Sequence, residues 1–177
     1  QHILRGHEAE RKKILLTGAA GFIGSNTASA LLGRGDTVVG VDNLNDYYDP
    51  ARKQANLDAV RATAPDPEKF IFHRADIRDE DAMEALYAVL RFYAVIFLAA
   101  MAGVRASIED PKLYLDVNLG GTLNLLEAGQ RHGQPPFVFA STSSVYGRTK
   151  VIPFIESDHA DRPLAPYPAS KRAAELL

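Results

Sequence analysis

Tyr167 and Lys171 stand four residues apart in the segment Tyr167-Pro168-Ala169-Ser170-Lys171. On a helix that spacing puts an ammonium one turn from a phenol, where positive charge favours the phenolate and lowers the phenol's pKa. Tyr167 is therefore a candidate general base and Lys171 its activator. The run Ser141-Thr142-Ser143-Ser144 directly follows the apolar stretch Pro136 to Ala140. Hydroxyls there can hold a substrate hydroxyl beside Tyr167; the alternative is a Ser/Thr-rich turn that satisfies its own backbone.

A second group of residues has the chemistry of anion binding. Leu16-Thr17-Gly18-Ala19-Ala20-Gly21-Phe22-Ile23-Gly24-Ser25 spaces Gly18, Gly21 and Gly24 three apart after an apolar run. A strand passing through glycine-rich backbone into a helix aims free N–H groups and the positive helix end at one point, a ready site for a pyrophosphate. In that reading Gly18 permits the turn, Gly21 the approach of the phosphates, and Gly24 close packing of helix on strand. Asp42, at the end of the next apolar run, is where a carboxylate accepts the adenosine ribose hydroxyls and repels a 2'-phosphate, which predicts NAD rather than NADP. Asp76, in Arg74-Ala75-Asp76-Ile77-Arg78-Asp79, is placed to receive an adenine amino group with Ile77 beside the ring. For both aspartates a turn or helix cap is the competing role.

These residues need a frame that brings them to one edge. Short, nearly all-apolar runs occur at Lys13 to Thr17, Thr37 to Asp42, Phe70 to Arg74, Ala94 to Ala99 and Pro136 to Ala140, as expected of strands buried on both faces. Helical periodicity fills the intervals Phe22 to Gly33, Pro50 to Ala62, Asp79 to Leu90 and Pro111 to His132, and a last helix runs from Tyr167 to Leu177. Alternating strand and helix predicts an α/β fold, a Rossmann-like doubly wound parallel sheet with helices on both faces and strand order 3-2-1-4-5. Ligands of such sheets sit beyond the carboxyl ends of the strands, beside the first strand, where the glycine loop falls.

Composition narrows the function classes. The 177 residues are 46% hydrophobic and 24% charged, which suits one globular domain, residues 13–177, behind a polar N-terminal extension, residues 1–12. The net charge of -2, without a basic stripe, argues against nucleic acid and membrane surfaces as partners. No cysteine is present, which removes thiolate chemistry and Cys-type zinc sites, and the five histidines lack metal-pair spacing, so no metal is expected. No apolar segment approaches the ~20 residues of a membrane span or the core of a signal peptide, and the expected location is cytoplasmic.

Taken together, Thr17-Gly18-Ala19-Ala20-Gly21-Phe22-Ile23-Gly24, Asp42-Asn43, Asp76-Ile77, Leu98 to Arg105, Asn118, Ser141 to Gly147 and Tyr167 to Lys171 resemble the extended short-chain dehydrogenases/reductases, and within them the nucleotide-sugar 4-epimerases. The stretches Asp42 to Pro50 and Ala102 to Pro111 are most similar to UDP-glucuronate 4-epimerases. The resemblance implies NAD as cofactor, a UDP-sugar as substrate, and a homodimer at full length. It makes Gly18, Gly21, Phe22, Ile23 and Gly24 the pyrophosphate loop, Asp42 and Asn43 the ribose contacts, and Asp76 and Ile77 the adenine contacts. Leu98, Ala99 and Ala100 would line the cofactor and Asn118 would lie near the nicotinamide half. Thr142 would hold the reacting hydroxyl, Tyr167 would be the base, and Lys171 would bind ribose and lower the base's pKa. Phe97, Met101, Ala106 and Pro168 depart from the commoner residues of that family.

The implied reaction interconverts UDP-glucuronate and UDP-galacturonate through a 4-keto sugar, with Ser143 and Ser144 donating to the C5 carboxylate. UDP-glucose epimerisation, a dehydratase or decarboxylase of the same family, and a non-catalytic NAD-binding protein are the alternatives. Relatives of the dehydratase or decarboxylase kind usually carry acidic groups where this chain has Ser143 and Ser144. The family's smaller C-terminal substrate domain has no counterpart here, so the chain is expected to be an N-terminal portion of a longer enzyme, inactive alone.

Overall fold

In a computed structural model, residues 12–177 are described, so the expected N-terminal extension lies almost wholly outside them. Five parallel strands form one sheet in the order β3-β2-β1-β4-β5: β1 is Lys13–Thr17, β2 Thr37–Asp42, β3 Phe70–Arg74, β4 Ala94–Phe97 and β5 Phe137–Phe139. The strand order is the one expected from the alternation of elements. Residues of β1 alternate between two cores, as a strand buried on both faces must. Ile14 and Leu16 pack with Ala28, Leu32, Leu57 and Val60 from α1 (Phe22–Gly33) and α2 (Pro50–Thr63). Leu15 packs with Val39, Val95, Met83 and Leu125, the last two from α3 (Glu80–Val89) and α6 (Gly121–Arg131).

The strand-to-helix turn after β1 depends on its glycines. Gly18 has φ +70, and a Cβ there would sit 2.9 Å from the Ala99 backbone nitrogen, so the turn and the neighbouring β4 exit can share this space only if the side chain is absent. At Gly24 a Cβ would run into the Gly18 carbonyl oxygen. We expect Gly24→Ala to destabilise the protein by roughly 3 kcal/mol or more in urea titrations, because the obstacle is backbone rather than a movable side chain. An unchanged midpoint would show that the loop relaxes at no cost.

Several elements differ from the sequence expectation, β5 among them, which is Phe137–Phe139 and not Pro136 to Ala140. β4 ends at Phe97 instead of Ala99 because the Leu98 and Ala99 N–H groups leave the ladder and donate to Thr17 Oγ1 at 3.2 and 3.1 Å. The single helix expected from Pro111 to His132 is α5 (Pro111–Leu115), a π-helical turn at Asp116–Gly120, and α6. Asn118 in that turn is fully buried and Thr122 Oγ1 donates to its carbonyl at 2.6 Å, while Gly121 lies so close to Ile77 that a Cβ would be 2.5 Å from Ile77 Cδ1. A widened turn that carries an inward polar side chain is a common device next to functional sites. A short helix, α4 (Val104–Glu109), was not expected at all. The last helix, α7, is Pro166–Glu175; its two prolines, Pro166 and Pro168, fall in the first turn, where a missing N–H costs no helical bond.

Candidate functional site

The carboxyl ends of β1, β2, β3 and β4 open on a cleft of about 410 Å³. Its walls include Gly18, Gly21, Asp42, Asn43, Asp76, Ile77, Leu98, Ala99 and Ala100, nine of the residues expected to touch the cofactor. Phe22, Ile23 and Gly24 form the first turn of α1, with Gly21 at its N-cap and no side-chain cap. Among the described residues the N–H groups of these three find no acceptor, since the helical ladder begins with Ser25 N–H donating to Gly21 O at 2.9 Å. An uncapped helix N-terminus with exposed side chains at Phe22 and Ile23 is chemically suited to a phosphate pair.

Both aspartates fill the turn-capping role weighed for them. Asp42 is 8% exposed; its Oδ1 caps the turn by accepting from Leu44 N–H at 2.9 Å and also takes Lys53 Nζ at 3.2 Å, while Oδ2 accepts from Ala20 N–H at 3.2 Å. One acceptor direction on Oδ2 is left for a ribose hydroxyl rather than the two originally expected. Asp76 is more fully engaged. Its oxygens accept from Arg78 N–H, Nε and a terminal guanidinium nitrogen at 2.9, 3.0 and 2.8 Å, and from Asn43 Nδ2 at 3.0 Å. The Arg78 guanidinium holds the Asp76 carboxyl far below the usual carboxylate range. With all four lone-pair directions used, Asp76 receives an adenine amino group only if Arg78 or Asn43 gives way. Asn43 reaches Asp76, so the expected ribose contact is also a strut between β2 and β3.

Asn118 lies away from the cleft surface and serves as a clamp. Its Oδ1 accepts from Met101 N–H at 2.8 Å, and its Nδ2 donates to Met101 O at 2.9 Å and Ser170 Oγ at 3.0 Å. One side chain thus ties the loop after β4 to α7, the helix that carries Tyr167 and Lys171. α7 also packs against the 3₁₀ turn Ser143–Tyr146, which Thr142 opens by accepting from Ser144 N–H at 3.2 Å. The hydroxyl turn and the Tyr/Lys helix are neighbours at the same sheet edge, next to β5.

Lys171 is 2% exposed, and its ammonium lies 3.9 Å from the centre of the Phe139 ring. Burial pulls its pKa down to about 8, a shift that Glu175 partly opposes. Tyr167 sits edge-on to Tyr114 with ring centres 6.1 Å apart. Tyr114 and Tyr47 both donate to Ala102 O, at 2.5 and 2.8 Å, which pins the loop between β4 and α4 beneath them. Desolvation first, then the neighbouring Tyr47, pushes the Tyr114 phenol up, so it remains a neutral donor.

Lys53, Tyr47 and Tyr48 also line the cleft and were not singled out from the sequence. Lys53 had a signal: it falls with Leu57 and Val60 on the buried stripe of α2, a position where a lone charge needs a reason.

A glycine turn at the switch point of a parallel sheet and a carboxylate at the end of β2 are the arrangement of a dinucleotide-binding α/β domain. The family model for GDP-mannose 4,6-dehydratase matches residues 15–177, and the chain belongs to that family. The chain is 46% identical over 163 residues to a UDP-glucuronate 4-epimerase of Thermodesulfobacterium geofontis, a match covering 92% of this chain and 49% of the relative. It is 44% identical over 165 residues to UDP-glucuronate 4-epimerase 4 of Arabidopsis thaliana, covering 93% of this chain and 37% of that one. The solved UDP-glucose 4-epimerase of Bifidobacterium longum, in complex with NAD+ and UDP, superposes with a TM-score of 0.83 at 33% identity, over 93% of this chain and 47% of that chain. The chain thus spans half or less of the length of these relatives.

Proposed function

We propose that this chain is the NAD-binding and proton-transferring part of a UDP-glucuronate 4-epimerase, and that in the complete protein further residues grip the uridine diphosphate. The observation that carries the reading is that three features follow the carboxyl ends of one parallel sheet: the uncapped glycine turn after β1, the Thr142 turn after β5, and, packed on that turn, α7 with Lys171 buried one helical turn from Tyr167. The pyrophosphate of NAD fits the free N–H groups of Phe22, Ile23 and Gly24, its ribose the remaining acceptor of Asp42, and its rings the apolar walls at Ile77, Leu98, Ala99 and Ala100. When bound, NAD takes a hydride from a carbon and later returns it.

The chain's own residues handle the proton and the orientation. Thr142 holds the sugar's C4 hydroxyl, and Tyr167, as phenolate, removes its proton as the C4 hydrogen leaves as hydride. Lys171 stabilises the phenolate through its charge, since an ammonium in a desolvated site acts on a neighbour far more strongly than one in water. The 4-keto sugar then turns its other face to the site. Tyr167 returns the proton to the oxygen as hydride returns to carbon, and C4 is inverted with no net redox change.

The choice of a uronate rests on Ser143 and Ser144. Among the described residues neither hydroxyl has a hydrogen-bond partner, so both remain to donate to a carboxylate at C5. A β-keto acid loses its carboxylate when the C–C bond aligns with the carbonyl π system; anchoring by hydroxyls holds it out of alignment without protonating the ring carbon. The complete protein, given UDP-glucuronate and UDP-glucose side by side, should make UDP-galacturonate with little UDP-galactose. Replacing Ser143 and Ser144 together with Ala should cost roughly 1.5–3 kcal/mol of that preference per lost charge-assisted bond. Wild-type preference for the neutral sugar would overturn the uronate assignment and leave a nucleotide-sugar 4-epimerase.

A further inference from the structure

Lys53 places a buried cation at the ribose end of the cleft. It is 5% exposed, yet it lines the cleft. Its Nζ lies 3.2 Å from Asp42 Oδ1 and 2.7 Å from Asn45 Oδ1, and 5.3 Å from the centre of the Tyr48 ring. An ammonium has three donors. Two are used, and among the described residues the third has no acceptor. The pair forms the mirror case: Asp42 Oδ1 is filled by Leu44 N–H and Lys53, while Oδ2 keeps one acceptor direction after Ala20 N–H. One spare acceptor, on Asp42 Oδ2, and one spare donor, on Lys53 Nζ, therefore belong to a single ion pair closed through Oδ1 at 3.2 Å.

Burial of this pair needs a reason, because an apolar side chain beside Leu57 and Val60 would fill the position on α2 without any desolvation cost. Adjacent ribose hydroxyls match a donor next to an acceptor. We propose, on the reading that the cleft binds a dinucleotide, that Lys53 is a binding residue for the adenosine ribose: Asp42 Oδ2 accepts from one hydroxyl and Lys53 Nζ donates to the other. Lys53 also sets how firmly a 2'-phosphate is refused. A lone buried carboxylate repels that phosphate, whereas the Asp42–Lys53 pair has no net charge and repels it less. Removing either partner must then move the preference in opposite directions.

The test is calorimetric binding of NAD+ and NADP+ to the complete protein and its variants, with thermal denaturation as a check on folding. Lys53→Met should weaken NAD+ roughly tenfold and NADP+ more, raising the ratio of the two dissociation constants roughly tenfold, because Asp42 is left uncompensated. Asp42→Asn leaves the ammonium uncompensated and should lower the same ratio by roughly tenfold or more. If Lys53→Met does not fold, Lys53→Gln, which keeps a donor but removes the charge, takes its place and should raise the same ratio. A purely structural lysine would weaken both cofactors equally; an unchanged ratio in the variants overturns the proposal while leaving the dinucleotide reading intact. Failure of the wild-type protein to bind either dinucleotide overturns both.

Discussion

On the proposed epimerase mechanism, Tyr167→Phe should lower the kcat of the complete protein by roughly 10²-fold or more, since a positioned general base typically contributes ~10²–10⁴. The substitution deletes one oxygen. The ring keeps its edge-on contact with Tyr114 at 6.1 Å between centres, so α7 stays in place. Tyr167 is also not among the residues that wall the cleft, where the glycine turn, Asp42 and Lys53 lie. NAD+ affinity should therefore change by less than about threefold while turnover collapses, a split that a general loss of folding does not produce. The measurement is kcat with the uronate substrate beside the calorimetric dissociation constant of NAD+. A Phe variant with near-normal kcat would move the base role to another group.

How far the sequence reaches depends on whether local pattern or a remote partner sets each feature. β1, β2 and β3 begin and end where their apolar runs do; in β1 and β2 both faces are buried, whereas β3 is an edge strand and is buried only at Phe70. The glycine turn was legible for the same reason: three absent side chains at fixed spacing point to close backbone approach, and Gly18 and Gly24 both meet backbone. What was not legible involves long-range partners. The end of β4 is set by Thr17 Oγ1, some eighty residues earlier. The π turn at Asp116–Gly120 follows from Asn118 reaching Met101 and Ser170, and its apolar periodicity blends into the flanking helices. Asp42 and Asp76 were weighed as ligand acceptors or caps, and their ion pairs with Lys53, eleven residues on, and Arg78, two residues on, were not read from the sequence.

On the proposed mechanism, Lys171→Met should lower turnover by roughly 10²-fold, because the developing charge on Tyr167 would lose its stabilising partner. It should also make the folded protein more stable near pH 7. Lys171 is 2% exposed and its pKa falls from the ordinary 10.5 to about 8, chiefly by desolvation. A lowered lysine pKa means that the unfolded chain binds more protons than the folded one between about pH 8 and 10.5, so wild-type stability rises with pH across that window. Below about pH 8 both states carry the proton, and the folded state bears the whole cost of the buried charge. Met removes that cost, worth up to about 3 kcal/mol, though it also gives up the contact of the ammonium with the Phe139 ring, worth about 1–2 kcal/mol when desolvated. The net gain is therefore about 1–2 kcal/mol at pH 7 and vanishes toward pH 10.5. Urea titrations of both proteins at pH 7 and pH 10 read this directly, and wild-type kcat should fall as pH rises through about 8, where Lys171 loses its proton. A Met variant less stable than wild type at pH 7 would make Lys171 a structural cation, held by Phe139 and Glu175 for the fold's sake. A stabilised but inactive variant would show a charge retained at the expense of stability because the chemistry at Tyr167 requires it.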